Sequence, residues 1–342
     1  MATALFIHGA HDARIDSYQP SRTPGADVLI DVAAVGLCGS DLHYYKDGGI
    51  GSAVIREPFV PGHEFGGFLS RDLPHLSLKA GQLVALDPNE SCGKCEYCLR
   101  GHTNLCPRVE FIGAPPFQGA MAEQIWVRAS QVMKIPSHFT PLQAAMLEPL
   151  GVAIHVVDLA KPKPGERIAV LGCGPIGLLV MKVLRASGKY EIIAADPLEH
   201  RRAMALRDGA GLAVESGQQV QDVTDREGCP LVIEATNSPD GFRDAVLASK
   251  IGGRIVLAGI PDGNIYTLPA AEARRRGLKI KFARRMGEVY PRAIDMVDRG
   301  LVDVAAIVTN EIGLDAGPDA FRDHAANAPG LVKTIIYPNG KI

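Results

Sequence analysis

Gly36-Leu-Cys-Gly-Ser-Asp-Leu-His43 puts a thiol, a hydroxyl, a carboxylate and an imidazole within six positions of one another, at Cys38, Ser40, Asp41 and His43. Such a cluster can hold a metal ion and hand on a proton. Nineteen positions after His43 comes Gly62-His63-Glu64, in a turn flanked by Pro and Gly. Cys38 Sγ and a His63 nitrogen are the soft and borderline donors that suit Zn²⁺. Glu64 and Glu148, the latter in Met146-Leu-Glu-Pro-Leu150, are carboxylates able to supply a third ligand. A fourth position would stay open for water or substrate, as a catalytic zinc requires. A free cysteine is by itself most often a small buried hydrophobe, so it is the combination, not Cys38 alone, that points to a metal.

A second metal pattern is separate from the first. Cys92-Gly-Lys-Cys95-Glu-Tyr-Cys98 is followed by Cys106, a C-x₂-C-x₂-C-x₇-C spacing that suits a closed tetrahedral thiolate site holding a structural zinc. Lys94 and Arg100 would offset part of its charge. Iron–sulfur runs of the ferredoxin kind put three residues in the last spacer, where this chain has seven. Four thiolates leave no open coordination position, so this ion would hold a lobe rather than react. In a cytosolic chain, four cysteines inside fifteen residues favour metal over disulfides. Cys173 and Cys229 read as packing residues.

Gly172-Cys-Gly174-Pro175-Ile176-Gly177 follows the apolar run Ile168-Ala-Val-Leu171 and opens a helix whose apolar positions 176, 179, 180, 183 and 184 recur at helical spacing. In that setting the first glycine allows a tight turn, the second lets a pyrophosphate approach the backbone, and the third lets helix and strand pack closely. Amides at the helix N-terminus then bind the phosphates. Asp196, nineteen residues after Gly177, ends the next apolar run, where its carboxylate would accept from ribose hydroxyls and repel a 2′-phosphate. NAD is therefore expected over NADP, with Arg201 as the nearby cation that flanks a ribose or meets a phosphate.

These residues need scaffolds. At 342 residues the chain exceeds what one core usually supports, so two domains are expected. Hydrophobic residues at 46% and charged ones at 22% fit an ordinary globular protein. A net charge of -2 gives no basis for a nucleic-acid or acidic-membrane partner. The run from Ile168 to Leu184 is broken by three glycines, a proline and Lys182, against a membrane span. The N-terminus lacks the basic start and long apolar core of a secretory signal, so a cytoplasmic protein is expected.

From Thr3 to about Leu150, short β-like runs between Gly, Pro and Asp (28–32, 82–86, 123–127 and 131–135) read as a β barrel or sandwich. Residues 141–160 change to helical spacing, interrupted at Pro149 and Gly151, as a bridge. From Arg167, apolar strands at 168–171, 192–195, 231–234, 254–257 and 278–282 alternate with helices. That is the pattern of an α/β fold with a doubly wound parallel sheet covered on both faces. The last sixty residues lose the alternation and are expected to rejoin the first domain.

With these motifs in place the chain resembles the zinc-dependent medium-chain alcohol and polyol dehydrogenases, nearest the sorbitol and xylitol dehydrogenase group. The residues that carry the likeness are Gly36 to Tyr44, Pro61-Gly-His-Glu64, the four-cysteine lobe, Glu148-Pro-Leu150 and Gly172 to Gly177. The resemblance implies a GroES-like zinc-binding catalytic domain over 1–150 and 284–342, with its structural-zinc lobe at about 88–108. It implies a Rossmann NAD-binding domain over 151–283, an active site in the cleft between the two, and assembly as a homodimer or homotetramer.

By that resemblance Cys38 and His63 are ligands of the catalytic zinc, and Glu64 and Glu148 divide the remaining role, one as ligand and the other through water. Ser40 takes the substrate proton, with His43 extending its path, and Asp41 either joins that path or ties the loop to backbone. Tyr44 and Phe111 match pocket positions. Arg285 matches an active-site arginine of polyol dehydrogenases, although Met286 stands where a tyrosine normally follows. Glutamate at 148, where alcohol dehydrogenases carry cysteine, points to a polyol substrate, and the retained cysteine lobe points to microbial kin.

The reaction so implied is reversible oxidation of a secondary alcohol of a polyol (sorbitol, xylitol or galactitol) by NAD⁺, aided by the Lewis acidity of zinc. Alternatives on the same scaffold are a sugar acid such as idonate, or L-threonine, with Arg285 as the cation. A zinc-free quinone reductase is disfavoured because Cys38, His63 and both glutamates are present. A non-enzymatic zinc interaction module would lack the nucleotide motif.

Overall fold

The computed structural model describes residues 2–341. The chain divides into two compact units. The first runs to Glu148 and resumes over Tyr290–Gly300 and from Val304 onward; the second is Pro149–Val289 with Leu301–Asp303.

The first unit opens with the antiparallel hairpin β1 (Ala2–Gly9) and β2 (Asp12–Tyr18). Then follow β3 (Val28–Gly36), helix α1 (Gly39–Asp47), β4 (Glu64–Leu69), β5 (Leu83–Leu86), β6 (Gln124–Val127) and β7 (Val132–Lys134). Alternation puts Val28, Ile30 and Val32 of β3 on one face, all fully buried. The 20-residue helix α2 (Pro141–Ala160) then carries the chain out of this unit. It is long and apolar enough to cross a membrane, but 67% of its apolar window is buried inside the protein, as in a core helix. It continues through Pro149 without a break in its assigned span, so the interruption expected there costs at most local hydrogen bonding.

The second unit alternates strand and helix: β8 (Arg167–Leu171), α3 (Pro175–Ser187), β9 (Glu191–Ala195), α4 (Glu199–Arg207), β10 (Leu212–Val214), β11 (Cys229–Glu234), α5 (Gly241–Ala248), β12 (Ser249–Leu257), α6 (Ala270–Arg275) and β13 (Lys279–Phe282). All neighbours pair in parallel, in the order β10-β9-β8-β11-β12-β13. The direction of progress reverses between β8 and β11. That is the topological switch point outside which ligands of such sheets bind.

The chain then re-enters the first unit as α7 (Tyr290–Asp298), β14 (Asn310–Gly313), α8 (Gly317–Ala325) and β15 (Thr334–Tyr337). Its sheet runs β7-β5-β4-β3-β15-β14, with β6 also on β3. Two registers matter for function. Gly36 of β3 faces Glu64 of β4, and Ile335 of β15 faces Gly36 from the other side.

Candidate functional site

Those registers gather the first metal cluster. Cys38 lies two residues beyond β3 and His63 one residue before β4, so antiparallel pairing sets the two loop residues side by side. Cys38, His63 and Glu64 each offer a ligand atom within 4.8 Å of the other two. Gly36 is needed here, because a Cβ on it would stand 2.1 Å from Glu64 Oε2.

Asp41, fully buried, holds the loops together. The Cys38 N–H donates to its Oδ2 at 3.0 Å and the Gly62 N–H to its Oδ1 at 3.1 Å. Of the two roles open to Asp41, tying the loop to backbone is the one its geometry displays. Its Oδ1 also lies 3.7 Å from His63 Nδ1, a buried nitrogen with no hydrogen-bond partner among the described residues. A carboxylate on that side orients the ring by charge and leaves Nε2 to act as ligand. Burial works against charge on His63, but the charges of Cys38 and Asp41 outweigh it and raise the imidazole well above its ordinary value.

Lys333, at the head of β15, is the residue that sequence reasoning missed. It is 1% exposed; its Nζ donates to Glu64 Oε2 and, at 2.9 Å, to the Leu37 carbonyl. That cation holds in place the carboxylate whose oxygen converges with Cys38 and His63. Glu148 is also buried, and burial pushes its carboxyl up to about 8, with His63 pulling the value down and Glu64 pushing it up. It does not lie within 4.8 Å of all three cluster atoms. A soft thiol, an imidazole and a carboxylate converging on one point, with a buried cation bracing one of them, is a donor set that fits Zn²⁺ with a position to spare.

The other expected residues of this unit divide. Ser40 sits partly exposed in the first turn of α1. His43 is buried, with Nδ1 3.2 Å from Asp47 Oδ2. The Phe111 ring packs 5.4 Å from that of His63. Tyr44 is 4% exposed and sits edge-on to Phe59. Arg285 falls in the second unit, just past β13, with a left-handed φ of 52°. Met286 beside it is buried, its sulfur in the space a Cβ on Gly151 would take.

The cysteine lobe is equally compact. Cys95 Sγ is 3.4 Å from Cys98 Sγ and 3.9 Å from Cys106 Sγ, and Cys92 Sγ is 4.0 Å from Cys98 Sγ. Tetrahedral zinc with bonds near 2.3 Å puts its sulfurs roughly 3.8 Å apart, so the four thiols fit a closed site. The cation that reaches a sulfur is Arg108, 3.3 Å from Cys92, rather than the expected Lys94 or Arg100 side chains. The Lys94 backbone N–H and then Arg108 hold the Cys92 thiol down at about 5. By contrast, burial pushes Cys173 and Cys229 up to about 12, which suits packing.

In the second unit the three glycines have distinct steric duties. Gly172 takes φ 88°, and a Cβ there would meet the Ala235 carbonyl at 2.7 Å; one on Gly177 would meet the Gly172 carbonyl at 1.9 Å. A Cβ on Gly174 would touch nothing within 4 Å, so packing does not demand that glycine. It is the position where a pyrophosphate comes closest. Pro175 and Ile176 start α3 directly behind it. Asp196 directly follows β9, accepting from the Cys173 N–H at 2.8 Å and the Leu198 N–H at 2.9 Å. Arg202 braces that turn, donating to the Asp196 and Pro197 carbonyls. Arg201 Nε has no hydrogen-bond partner among the described residues.

Comparison with known proteins adds the following. The alcohol dehydrogenase GroES-like domain matches residues 24–137 and the zinc-binding dehydrogenase family matches residues 175–299. Sorbitol dehydrogenase of Bacillus subtilis is 32% identical over 342 residues, spanning 98% of this chain and 97% of its own. D-xylulose reductase A of Aspergillus oryzae is 32% identical over 345 residues, 97% of this chain and 96% of its own. A Sinorhizobium meliloti chain solved bound to NADP superposes with a TM-score of 0.87 at 28% identity, covering 99% of each chain.

Proposed function

The chain belongs to the zinc-dependent medium-chain alcohol and polyol dehydrogenase family, and from that premise we propose that it reversibly oxidises a secondary alcohol of a polyol to a ketose with NAD⁺. The observation that carries this is the convergence of Cys38, His63 and Glu64 within 4.8 Å in a chain that also builds the glycine turn. Sorbitol, xylitol and galactitol are the proposed substrates, supported by the relatives named for sorbitol and D-xylulose.

Each residue has a role in this reading. Cys38, His63 and Glu64 hold the catalytic zinc, and Lys333 keeps Glu64 in place. When bound, that ion would supply Lewis acidity toward the substrate hydroxyl, and NAD⁺ would supply the acceptor for the hydride from the carbinol carbon. Ser40 accepts the proton and His43, bonded to Asp47, passes it outward. Glu148, buried and pushed toward its neutral form chiefly by that burial, takes the second carboxylate role beside His63 and Glu64. Phe111 covers the His63 ring and keeps water from it. Arg285 reads the far end of the substrate. Cys92, Cys95, Cys98 and Cys106 hold the second zinc, giving two per chain.

A panel of sorbitol, xylitol, galactitol, idonate and L-threonine with NAD⁺, run beside a zinc count, tests the proposal. Turnover confined to idonate or threonine overturns the polyol assignment, and a single zinc per chain overturns the ligand sets.

The preference for NAD over NADP rests on Asp196, whose charge at the end of β9 opposes a 2′-phosphate. The NADP-bound neighbour makes this a choice worth measuring. Asp196→Ala should weaken NAD by about tenfold or more, the worth of a hydrogen bond to a charged group, and narrow the NAD to NADP ratio of kcat/KM. An unchanged ratio would count against the ribose role.

Assembly as a homodimer or homotetramer is supported by β13, an edge strand of the parallel sheet with Phe282 64% exposed on it. A cytoplasmic setting is supported by seven free thiols, four of them gathered for metal.

A further inference from the structure

Glu234 is the last residue of β11, at the carboxyl edge of the parallel sheet, and its side chain is completely buried. Nothing in the zinc or glycine motifs uses it. Its Oε1 accepts from the Thr236 N–H at 2.7 Å and from the Thr236 hydroxyl. The Tyr266 hydroxyl sits 3.1 Å from its Oε2 and 2.9 Å from the Gly259 carbonyl. The Glu234 carbonyl in turn accepts from the Ala258 N–H at 2.7 Å. One carboxylate thus ties the loop after β11 to the loop after β12, and Phe242, edge-on to Tyr266 with ring centroids 5.7 Å apart, fixes the phenol.

The tie is tight. A Cβ on Gly259 would stand 2.0 Å from the Thr236 carbonyl, and one on Gly241 would stand 2.5 Å from Glu234 Oε1. The same loop reaches the phosphate turn, since a Cβ on Gly172 would meet Thr236 Cγ2 at 2.9 Å. Burial raises the Glu234 carboxyl, with Thr236 and Tyr266 offsetting part of the shift. An acidic group kept in so unfavourable a place, where an apolar side chain would pack at lower cost, calls for a role.

The sheet topology indicates which one. A doubly wound sheet binds a dinucleotide as two mononucleotide halves about the switch point. Here β8 leads into the phosphate turn and β9 leads into Asp196, so the adenosine half belongs to the β8–β10 side. The other half falls to the carboxyl ends of β11 and β12, which are the two loops that Glu234 joins.

We infer that Glu234 and Tyr266 form a clamp that positions the nicotinamide half of the cofactor by fixing the loops after β11 and β12. Glu234 is a positioning residue and touches no reacting atom. The inference rests on the nucleotide-binding reading of the second unit, and its test separates the two.

The full-length protein and the variants Tyr266→Phe, Glu234→Ala and Glu234→Gln are titrated with NADH and with ADP-ribose, which lacks the nicotinamide. Tyr266→Phe and Glu234→Ala should weaken NADH about tenfold, the scale of one charge-assisted hydrogen bond, while ADP-ribose stays within about twofold. Glu234→Gln keeps an acceptor for Thr236 and offers a donor to the Tyr266 hydroxyl oxygen, which then donates to the Gly259 carbonyl, and it should keep NADH affinity close to the parent's. Equal losses for the two ligands mean a general structural role and overturn the clamp, as do unchanged affinities. If Glu234→Ala does not fold, the other two variants decide. Failure of the wild-type protein to bind either ligand would instead sink the nucleotide reading beneath it.

Discussion

Cys38→Ser should abolish polyol oxidation and lower the zinc content from the proposed two ions per chain to one, while NADH affinity should stay as in the parent. The thiol is one of three donor atoms within 4.8 Å of one another, and the other two come from His63 and Glu64. Serine offers an oxygen of higher pKa and lower softness in its place, so a three-donor site becomes a poor two-donor one. Lewis acidity at such sites is worth several kcal/mol of transition-state stabilisation. Each 1.36 kcal/mol is a factor of ten in rate, so kcat/KM should fall by at least about 10³.

The glycine turn and Asp196 belong to the other compact unit and are untouched by the substitution, so cofactor binding serves as the internal control. Excess zinc should recover little, because a ligand is missing rather than the metal. Turnover near the parent value with one zinc per chain would end the proposal of zinc catalysis. A loss of NADH binding along with turnover would show that the variant is damaged beyond its metal site.

What could be read from the chain and what could not follows from the distance along it over which each feature is built. The four-cysteine lobe lies within fifteen residues and the glycine turn within six, so spacing alone defines both. Asp196 was legible for a similar reason, since one strand–helix–strand unit fixes its distance from the turn. Partners brought in by sheet register were not legible. Lys333 reaches Glu64 across 269 positions only because β15 pairs with β3 beside Gly36. Its sole trace in sequence is a lysine heading the apolar run Thr334-Ile-Ile-Tyr337.

Arg108 is an instance closer in sequence. Lys94 and Arg100 lie nearer the first cysteines, but chain direction in the lobe turns the Arg108 side chain onto Cys92. Arg202, which nothing in the sequence singled out, bonds the Asp196 carbonyl, while its neighbour Arg201 does not share that contact. Neighbouring positions on a helix point about 100° apart, so one residue decides between a carbonyl and the opposite face. Tyr44, three residues beyond Asp41 on α1, turns inward against Phe59, a contact the spacing does not reveal.

Lys333→Met is the stability counterpart of the first prediction, and it should be the most destabilising single change in the first unit outside its apolar core. Lys333 and Glu64 are each 1% exposed. Removing one partner of such a pair strands the other charge and costs about 3–5 kcal/mol. For a unit of this size that lowers Tm by roughly 10 °C.

Three measurements make the result specific. The double variant Lys333→Met with Glu64→Gln should recover most of the loss, because no charge is then left unpaired. Zinc should narrow the gap between variant and parent, and chelation should widen it, because a cation beside Glu64 does part of the work of the lost ammonium. The pH dependence has a definite sign as well. Burial disfavours the ammonium but Glu64 and Cys38 outweigh it, so the Lys333 value is raised in the folded state. A raised lysine contributes stability that is fully present below its unfolded value near 10.4 and is lost only as pH climbs through the folded one. The destabilisation should therefore be flat between about pH 6 and 9. A loss of under about 1 kcal/mol, the range of an exposed ion pair, or one the double variant fails to repair, would show that Lys333 does not brace the ligand.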